Sequence, residues 1–481
     1  MPRMKYVRRN RVSLHMHPIT AAPEIPNASL TSGTATCDAR VNSKFSQKDP
    51  KEGLLDLRIL NESLRARVQA GVVGPKAWQQ TTELTVESIV RITVSPKFRM
   101  NNDTGKGTPE RESYDLDIQN IEVIALASES LPSISPNSQL EDRLNNRILD
   151  VRHNASGAVF KLHSGMCQLI VEFLCSKGFH WIHTPRIINA TVAGDNEFFD
   201  LPYFNGDAWL AQSTQHHKQM ALSMDMERVF EIGPVFRSEA KSRASSRHLT
   251  EFTVLDIAMT FQEDYREVVD TIESMLIFVL TNLQKREKFR QLLDAVRRDH
   301  PSAREFSIGL DERGKIPRVT FAEAKRILQQ DLGIEANPNK NFTDEEEAAL
   351  GRHFLATLHT DIFTIEQYPA SMRQFNSKAS ADTPELSNTW DTIVRGREIC
   401  SGSQRINSYP ELCEAMRAGV CGPAMDPEDE KWQPYLSAFK SGMPQHGGCG
   451  LGVNRLLQGF LGLKDVREVT LFPRDVNRLA P

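Results

Sequence analysis

Between residues 36 and 130 the chain never sustains a helical period. Its apolar residues fall in short alternating or continuous runs at Cys37–Val41, Gly53–Leu60, Leu64–Val73, Leu84–Val94 and Tyr114–Ala127, separated by polar loops such as Lys97–Arg111. Runs of this length form half-buried strands, and several in series must close on one another to hide their apolar faces. The segment is therefore expected to be a small β-barrel or sandwich.

The polar, proline-containing stretch that follows breaks this pattern, and a hinge is expected over residues 131–152. From residue 153 to 481 the period changes. Phe160, Leu162, Met166, Leu169, Ile170, Phe173 and Leu174 recur at helical spacing and Gly178 ends that helix. Strands at Arg228–Phe236 and Phe252–Phe261 and a long amphipathic helix over about Tyr265–Arg297 point to an α+β domain, an antiparallel sheet flanked by helices. Residues 1–35 carry Pro, Gly, Ser, Thr and Asn without periodicity and are expected to be a flexible basic extension.

The 481 residues hold 58 Lys and Arg against 62 Asp and Glu, a formal charge of −4. No bulk positive field draws the chain to nucleic acid or anionic lipid, so an RNA partner would need a local basic patch. The longest apolar run, Met275–Leu280, is far short of the roughly 20 residues a bilayer span needs, and no membrane partner is expected. Seven cysteines show no C-x-x-C pair, which argues against a disulfide framework or zinc site and for a reducing compartment. Residues 1–23 hold Arg3, Lys5, Arg8, Arg9 and Arg11 and no acid, a composition shared by mitochondrial presequences and by basic arms that touch RNA. The cytoplasmic reading is preferred.

Three segments carry chemistry. In the first, Gly233–Glu239 and Arg247–Ile257 read as two strands joined by a basic loop, in which Arg237 can grip a phosphate and Phe252 can face a nucleobase. A basic hairpin of this kind is also an ordinary solvated surface. The second, His446–Arg455, is a glycine-rich strand running into a helix. It lacks the third glycine and the βαβ setting of a dinucleotide fingerprint. Its glycines suit either a flat ring lying against backbone or close strand-to-helix packing. In the third, Asp391 and Glu398 would face opposite ways on one strand, but a turn at Gly396 lets both approach one hard cation bound to phosphate.

In this order the three segments resemble the class II aminoacyl-tRNA synthetases, in detail the aspartyl-tRNA synthetases of eukaryotic cytosolic type. Further matches are Arg143–Arg147, Gly178-Phe179 with Thr184-Pro185, Gln212–Lys218, Ser401–Arg405 and Phe472–Asp475. The resemblance implies an N-terminal OB-fold barrel that reads an anticodon (36–130) and a class II catalytic domain (153–481) forming a homodimer through the segment ending at Pro185. It implies ATP and Mg2+ as cofactors, and L-aspartate and tRNA as partners.

By the same resemblance Arg237, Glu239 and Arg455 are catalytic, and ATP is bound by Arg237, Glu239, His248, Phe252, Glu398, Gly452 and Arg455. Aspartate is bound by Gln215, Lys218, Asp256, Ser401, Arg405 and His446, with Lys218 and Arg405 as two cations on its side-chain carboxylate and Asp256 and Gln215 at its ammonium. Magnesium is held by Asp391 and Glu398.

The chain also departs from the family pattern. Ala193, Ala258 and Asn454 stand where glutamates are expected, and Arg397 replaces the first of a glutamate pair. Leu54, Arg65 and Leu126 occupy the positions expected to read the anticodon. Three readings follow: an aspartate–tRNA ligase; a divergent paralogue that adenylates aspartate or a related amino acid without anticodon-specific charging; and an inactive binding protein.

Overall fold

A computed structural model describes residues 34–59, 62–96, 115–189, 198–204, 206–238, 245–419 and 422–480. The expected extension, at residues 1–33, and the loop Lys97–Arg111 lie outside them. The chain divides into two compact units, Met1–Ser133 and Ile134–Pro481.

The first unit holds β1 (Ala35–Val41), β2 (Ser46–Asp49), β3 (Glu52–Ile59), β4 (Glu62–Gln69), α1 (Ala70–Val73), α2 (Pro75–Thr82), β5 (Ile89–Pro96) and β6 (Leu116–Ala125). The strand order is β1-β5-β6-β4-β3-β2, and β1 also pairs with β3, which closes five strands into a barrel of OB type. Leu55, Leu57 and Ile59 alternate inward from β3 to meet Val90, Ile92 and Ile118 in one core. Two of the apolar runs end differently from their expectation. Val73 lies in α1, and Leu84 lies ahead of β5, because Gly74 at φ 85° and Pro75 at the first helical position start α2 between them. Val73, Ala77 and Trp78 pack on the barrel core.

The second unit begins with α3 (Leu140–Asn145) and α4 (Arg147–Asp150). This narrows the hinge expected over 131–152. Arg143 and Arg147 both bind Asp150, and Arg147 donates to the carbonyls of Leu471, Arg467 and Thr470, so this stretch is anchored within the unit. Next come α5 (Asn154–Ser176), β7 (His180–Trp181), β8 (Ile187–Ile188), β9 (Asp200–Tyr203), β10 (Gly206–Leu210), α6 (Gln215–Leu222), β11 (Arg228–Phe236) and β12 (Glu251–Thr260). They are followed by α7 (Arg266–Lys285), α8 (Glu287–Asp299), β13 (Arg318–Thr320), α9 (Phe321–Arg326), α10 (Asp344–Leu358), β14 (Ile362–Glu366), β15 (Thr389–Val394), β16 (Glu398–Gln404), α11 (Tyr409–Ala418), α12 (Gln433–Lys440), β17 (His446–Gly452) and α13 (Val453–Leu461).

Eight strands form one sheet in the order β13-β14-β15-β16-β17-β12-β11-β7, antiparallel except at its two outermost pairs. Period-2 alternation gives β12 two faces. Leu255, Ile257 and Met259 point into the largest core, with apolar residues of α5, α7, α8 and α13. Val254 and Asp256 point to the opposite face, where a cavity opens. The helix α5 is long and apolar enough to span a bilayer by length and composition, but Leu162, Met166, Leu169 and Ile170 lie in that core.

The single helix expected over Tyr265–Arg297 is two. Arg286 adopts φ −70°, ψ 126° between α7 and α8, and its guanidinium binds both Glu172 oxygens on α5 at 2.8 and 2.7 Å. The break folds α8 back onto α5, where the Phe289 ring occupies the space a side chain on Gly165 would need. Local periodicity does not record such a turn, since apolar spacing continues across it.

Candidate active site

Cross-strand partners share a sheet face, so the strand register shows which side chains lie on the cavity side of the sheet. Glu231 on β11 pairs with Asp256 on β12, which pairs with Gly450 on β17; Gly450 pairs with Ser401 on β16, and Ser401 with Asp391 on β15. Five strands thus present one row of acids and a hydroxyl with a glycine at its centre. A methyl at Gly450 would stand 3.4 Å from Asp256 Oδ1, so glycine keeps the floor low. The cavity above has a volume of about 340 Å3. Gln215, Arg237, His248, Phe252, Asp256, Glu398, Ser401, Arg405, Gly452 and Arg455 all line it.

At one end Arg405 projects from the end of β16. Its Nη1 donates to Asn376 Oδ1 at 3.0 Å, and no carboxylate lies within ion-pair distance of it among the described residues. Burial pushes this guanidinium down to about 10. The second expected cation, Lys218 on α6, does not line the cavity. It is buried behind Asp256, donating to Asp256 Oδ1 at 2.6 Å and to the Ile257 carbonyl at 3.3 Å. Asp256 Oδ2 accepts from the Thr214 backbone at 3.2 Å and hydroxyl at 2.6 Å. Burial opposes ionisation of Asp256, yet Lys218 and Thr214 hold its carboxyl below the usual range. The two cations expected on the aspartate side-chain carboxylate are here one open guanidinium and one ammonium already bound by Asp256.

His446, expected to touch the amino acid, is also set back from the cavity. Its Nδ1 donates to the Pro444 carbonyl at 2.8 Å, leaving Nε2 to accept from Gln219 at 2.8 Å, and burial lowers the ring to about 4. Gln215 is buried and lines the cavity, with its amide 3.5 Å from Gln219.

At the other end three guanidinium groups share one wall. Arg237, just beyond β11, lies over the Phe252 ring at 5.3 Å. Arg455, in the first turn of α13, donates Nε to the Arg247 carbonyl at 3.4 Å, and burial and the neighbouring arginines lower it. Arg247 is bound by Asp344 and Glu347 of α10, but no ion pair engages Arg237 or Arg455 among the described residues. His248 Nδ1 lies 2.7 Å from Ser245 Oγ. Glu239 and Ala193 lie outside the described residues.

The turn at Gly396, with φ 70°, folds β15 and β16 into a hairpin that brings Asp391 and Glu398 together. Burial and the carboxylates of Asp391 and Glu347 push Glu398 up to about 7. Asp391 is held by Arg373 at 3.1 and 2.7 Å and does not line the cavity. Among the described residues no three His, Cys, Asp or Glu form a metal cage. The expected pair of cation ligands is therefore corrected to one: Arg373 occupies both Asp391 oxygens, and Glu398 alone faces the cavity, where a hard cation would take its remaining oxygens from phosphate.

Two residues that fix the site, Arg373 lining the cavity and Glu347 behind it, had no sequence signal. Arg373, stacked 3.6 Å from the Tyr368 ring centre and bonded to Asp391 and Ser401, sits in an irregular connection with no motif around it. Glu347, which accepts from Arg247 at 2.9 Å and from the Glu398 backbone at 3.1 Å, belongs to α10, where no site residue was expected.

The buried ion pair supports a stability prediction. Lys218→Met leaves Asp256 uncompensated, so the protein should lose about 3–5 kcal/mol in urea unfolding. The double variant Lys218→Met/Asp256→Leu should recover most of that loss. Equal loss in both would show that the pair is not what the site depends on.

Comparison with known proteins agrees with this geometry. Residues 139–476 match the family model of the class II tRNA synthetases (D, K and N). The chain is 35% identical to the mouse cytoplasmic aspartate–tRNA ligase over 460 residues, covering 92% of this chain and 87% of that one. An aspartyl-tRNA synthetase structure from Entamoeba histolytica superposes with a TM-score of 0.77 at 30% identity, covering 94% of this chain and 91% of that chain. The asparaginyl-tRNA synthetase of Pyrococcus horikoshii, solved with asparaginyl-adenylate, superposes at 0.78 with 25% identity, covering 94% and 97%. With the OB barrel, the antiparallel sheet and the three motif segments lining one cavity, the chain belongs to the class II tRNA synthetases of the D, K and N group.

Proposed function

We propose that the protein is an aspartate–tRNA ligase. An oxygen of the aspartate α-carboxylate attacks the α-phosphorus of ATP, the bond to the β-phosphate breaks, and pyrophosphate leaves. The 3′-terminal ribose hydroxyl of tRNA then attacks the acyl carbon of aspartyl-adenylate, loses its proton, and AMP departs. The observation that carries this reading is Arg405, an open guanidinium in a cavity where the nearby Lys218 is already matched by Asp256. A ligand carboxylate satisfies it, and a neutral amide leaves it unpaired.

In this reading Arg237 meets charge developing on the α-phosphate, Phe252 and Arg455 flank the adenine, and His248 and Gly452 line the nucleotide path. Asp256 holds Lys218 rather than the substrate ammonium, whose partner is Gln215. Glu398 would hold magnesium at this end of the cavity, where the ion would supply charge neutralisation between phosphates. Catalysis otherwise consists of positioning, since no protein nucleophile is required.

For the tRNA, the barrel carries Arg65 paired with Asp56 at 2.7 Å, Leu126 at 63% exposure and Leu54 buried. Leu54 offers no ring to stack on a base, which favours the second reading, adenylation with weak anticodon dependence. Charging assays with transcripts of native and altered anticodon separate the two. Loss of charging on the altered transcript supports specific decoding; equal charging supports the second reading. No charging of either, with aspartate activation intact, limits the protein to adenylation. The exposed Trp181 and Ile187 near Pro185 support a homodimer, and the cytoplasmic relatives support that location.

A further inference from the structure

The hydrogen-bonded groups in the wall behind Arg405 are neutral. Arginine has only donors, so the fully buried Asn376 must turn its carbonyl oxygen toward Arg405, and it does so at 3.0 Å. Beyond it, Tyr435 OH donates to Gln219 Oε1 at 2.9 Å, Gln219 Nε2 donates to His446 Nε2, and His446 Nδ1 donates to Pro444. The Arg405 backbone N–H donates to the His446 carbonyl at 2.9 Å, so guanidinium and wall are tied to the same strand end. Asp256 is the acid nearest this end that lines the cavity, and Lys218 and Thr214 occupy both its oxygens.

We propose that Asn376 is a specificity-determining positioning residue: it fixes the Arg405 guanidinium with a neutral acceptor, so the charge stays open for the substrate's side-chain carboxylate. A carboxylate at this position would hold Arg405 in the same place and neutralise it. Asn376 lies on the connection between β14 and β15, outside the motif segments, in a stretch whose sequence gives no hint of a pocket. The inference rests on the reading of Arg405 as the side-chain site.

Asn376→Asp changes charge with almost no change of shape. It should lower kcat/KM for aspartate in pyrophosphate exchange by about 100-fold or more, comparable to the loss of a charged hydrogen bond or pair. The KM for ATP should stay within about twofold, as for an interaction remote from the nucleotide. The aspartate-to-asparagine selectivity ratio should fall with it. Asn376→Leu, of similar shape and neutral, should lower activity but largely keep the ratio. A merely structural role predicts the reverse: similar losses in both variants, following their melting temperatures, with the ratio unmoved. If the wild-type enzyme prefers aspartate and Asn376→Asp keeps that ratio, the inference fails alone. If the wild type shows no aspartate preference, the reading of Arg405 fails and the inference with it.

Discussion

Arg405→Ala should reduce kcat/KM for aspartate in pyrophosphate exchange by about 10²- to 10⁴-fold, or roughly 3–5 kcal/mol, while leaving the KM for ATP nearly unchanged. The size follows from the surroundings. The guanidinium is held by one neutral amide, and its charge has no ion-pair partner among the described residues, so a bound carboxylate would be its main electrostatic partner. Removing it leaves the substrate carboxylate desolvated and unmatched. Lys218 does not replace it, because two of its three donors are already engaged by Asp256 and Ile257. Arg405→Lys should recover only part of the loss, since an ammonium lacks the planar fork that meets a carboxylate in two places. Unchanged aspartate activation in Arg405→Ala would disprove the assignment of this end of the cavity.

Arg237→Ala should act on a different parameter. A donor aimed at charge that develops in the transition state affects turnover, and its loss should cost about 10²- to 10³-fold in kcat with the KM for aspartate largely preserved. Arg237 is exposed and makes no ion pair among the described residues, so its removal should leave the melting temperature within about 1 °C, as for surface substitutions away from structural features. This separates catalysis from folding more cleanly than Arg455→Ala, whose side chain is packed at the start of α13. A fall in melting temperature that accounts for the lost activity would contradict the catalytic role.

The central strands were legible as short apolar runs bounded by polar residues, although neither alternates strictly. Arg228–Phe236 and the strand beginning near Phe252 appear in the structure nearly as the sequence spacing suggests, while the register that aligns Glu231, Asp256, Gly450, Ser401 and Asp391 is visible only in the structure. The gathering of Arg237, Phe252, Glu398, Arg405 and Arg455 around one cavity was likewise foreshadowed by their motif segments. What the letters could not show is how charges pair once buried. Lys218 and Asp256 read as two independent ligands of the substrate, and they bind each other. Asp391 reads as a free metal ligand, and Arg373, from an irregular loop eighteen residues earlier, already binds it. The break at Arg286 was invisible for a related reason: it is set by Glu172 on another helix, more than 100 residues away in sequence.

The missing acids also look different in three dimensions. Ala258 belongs to a buried apolar cluster with Val229 and Leu222 and does not line the cavity, so a carboxylate there would need its own partner. Asn454 accepts from the Thr253 backbone at 2.9 Å and donates to Thr470 at 3.0 Å, which leaves its side chain satisfied without a charge. Arg397 donates to the Leu463 carbonyl at 3.0 Å and lies near Arg247 and Arg455, adding positive charge toward the nucleotide end. None of these three positions opens a gap at Arg405.

The most direct test of the account is pyrophosphate exchange by the wild-type protein with aspartate and asparagine in parallel, since aspartyl- and asparaginyl-tRNA synthetases both superpose on this chain. An open guanidinium backed by neutral hydrogen-bonded groups should favour aspartate by at least about 10³-fold in kcat/KM, about 4 kcal/mol, the scale of leaving a buried charge unpaired. Equal exchange with both, or a preference for asparagine, would contradict it.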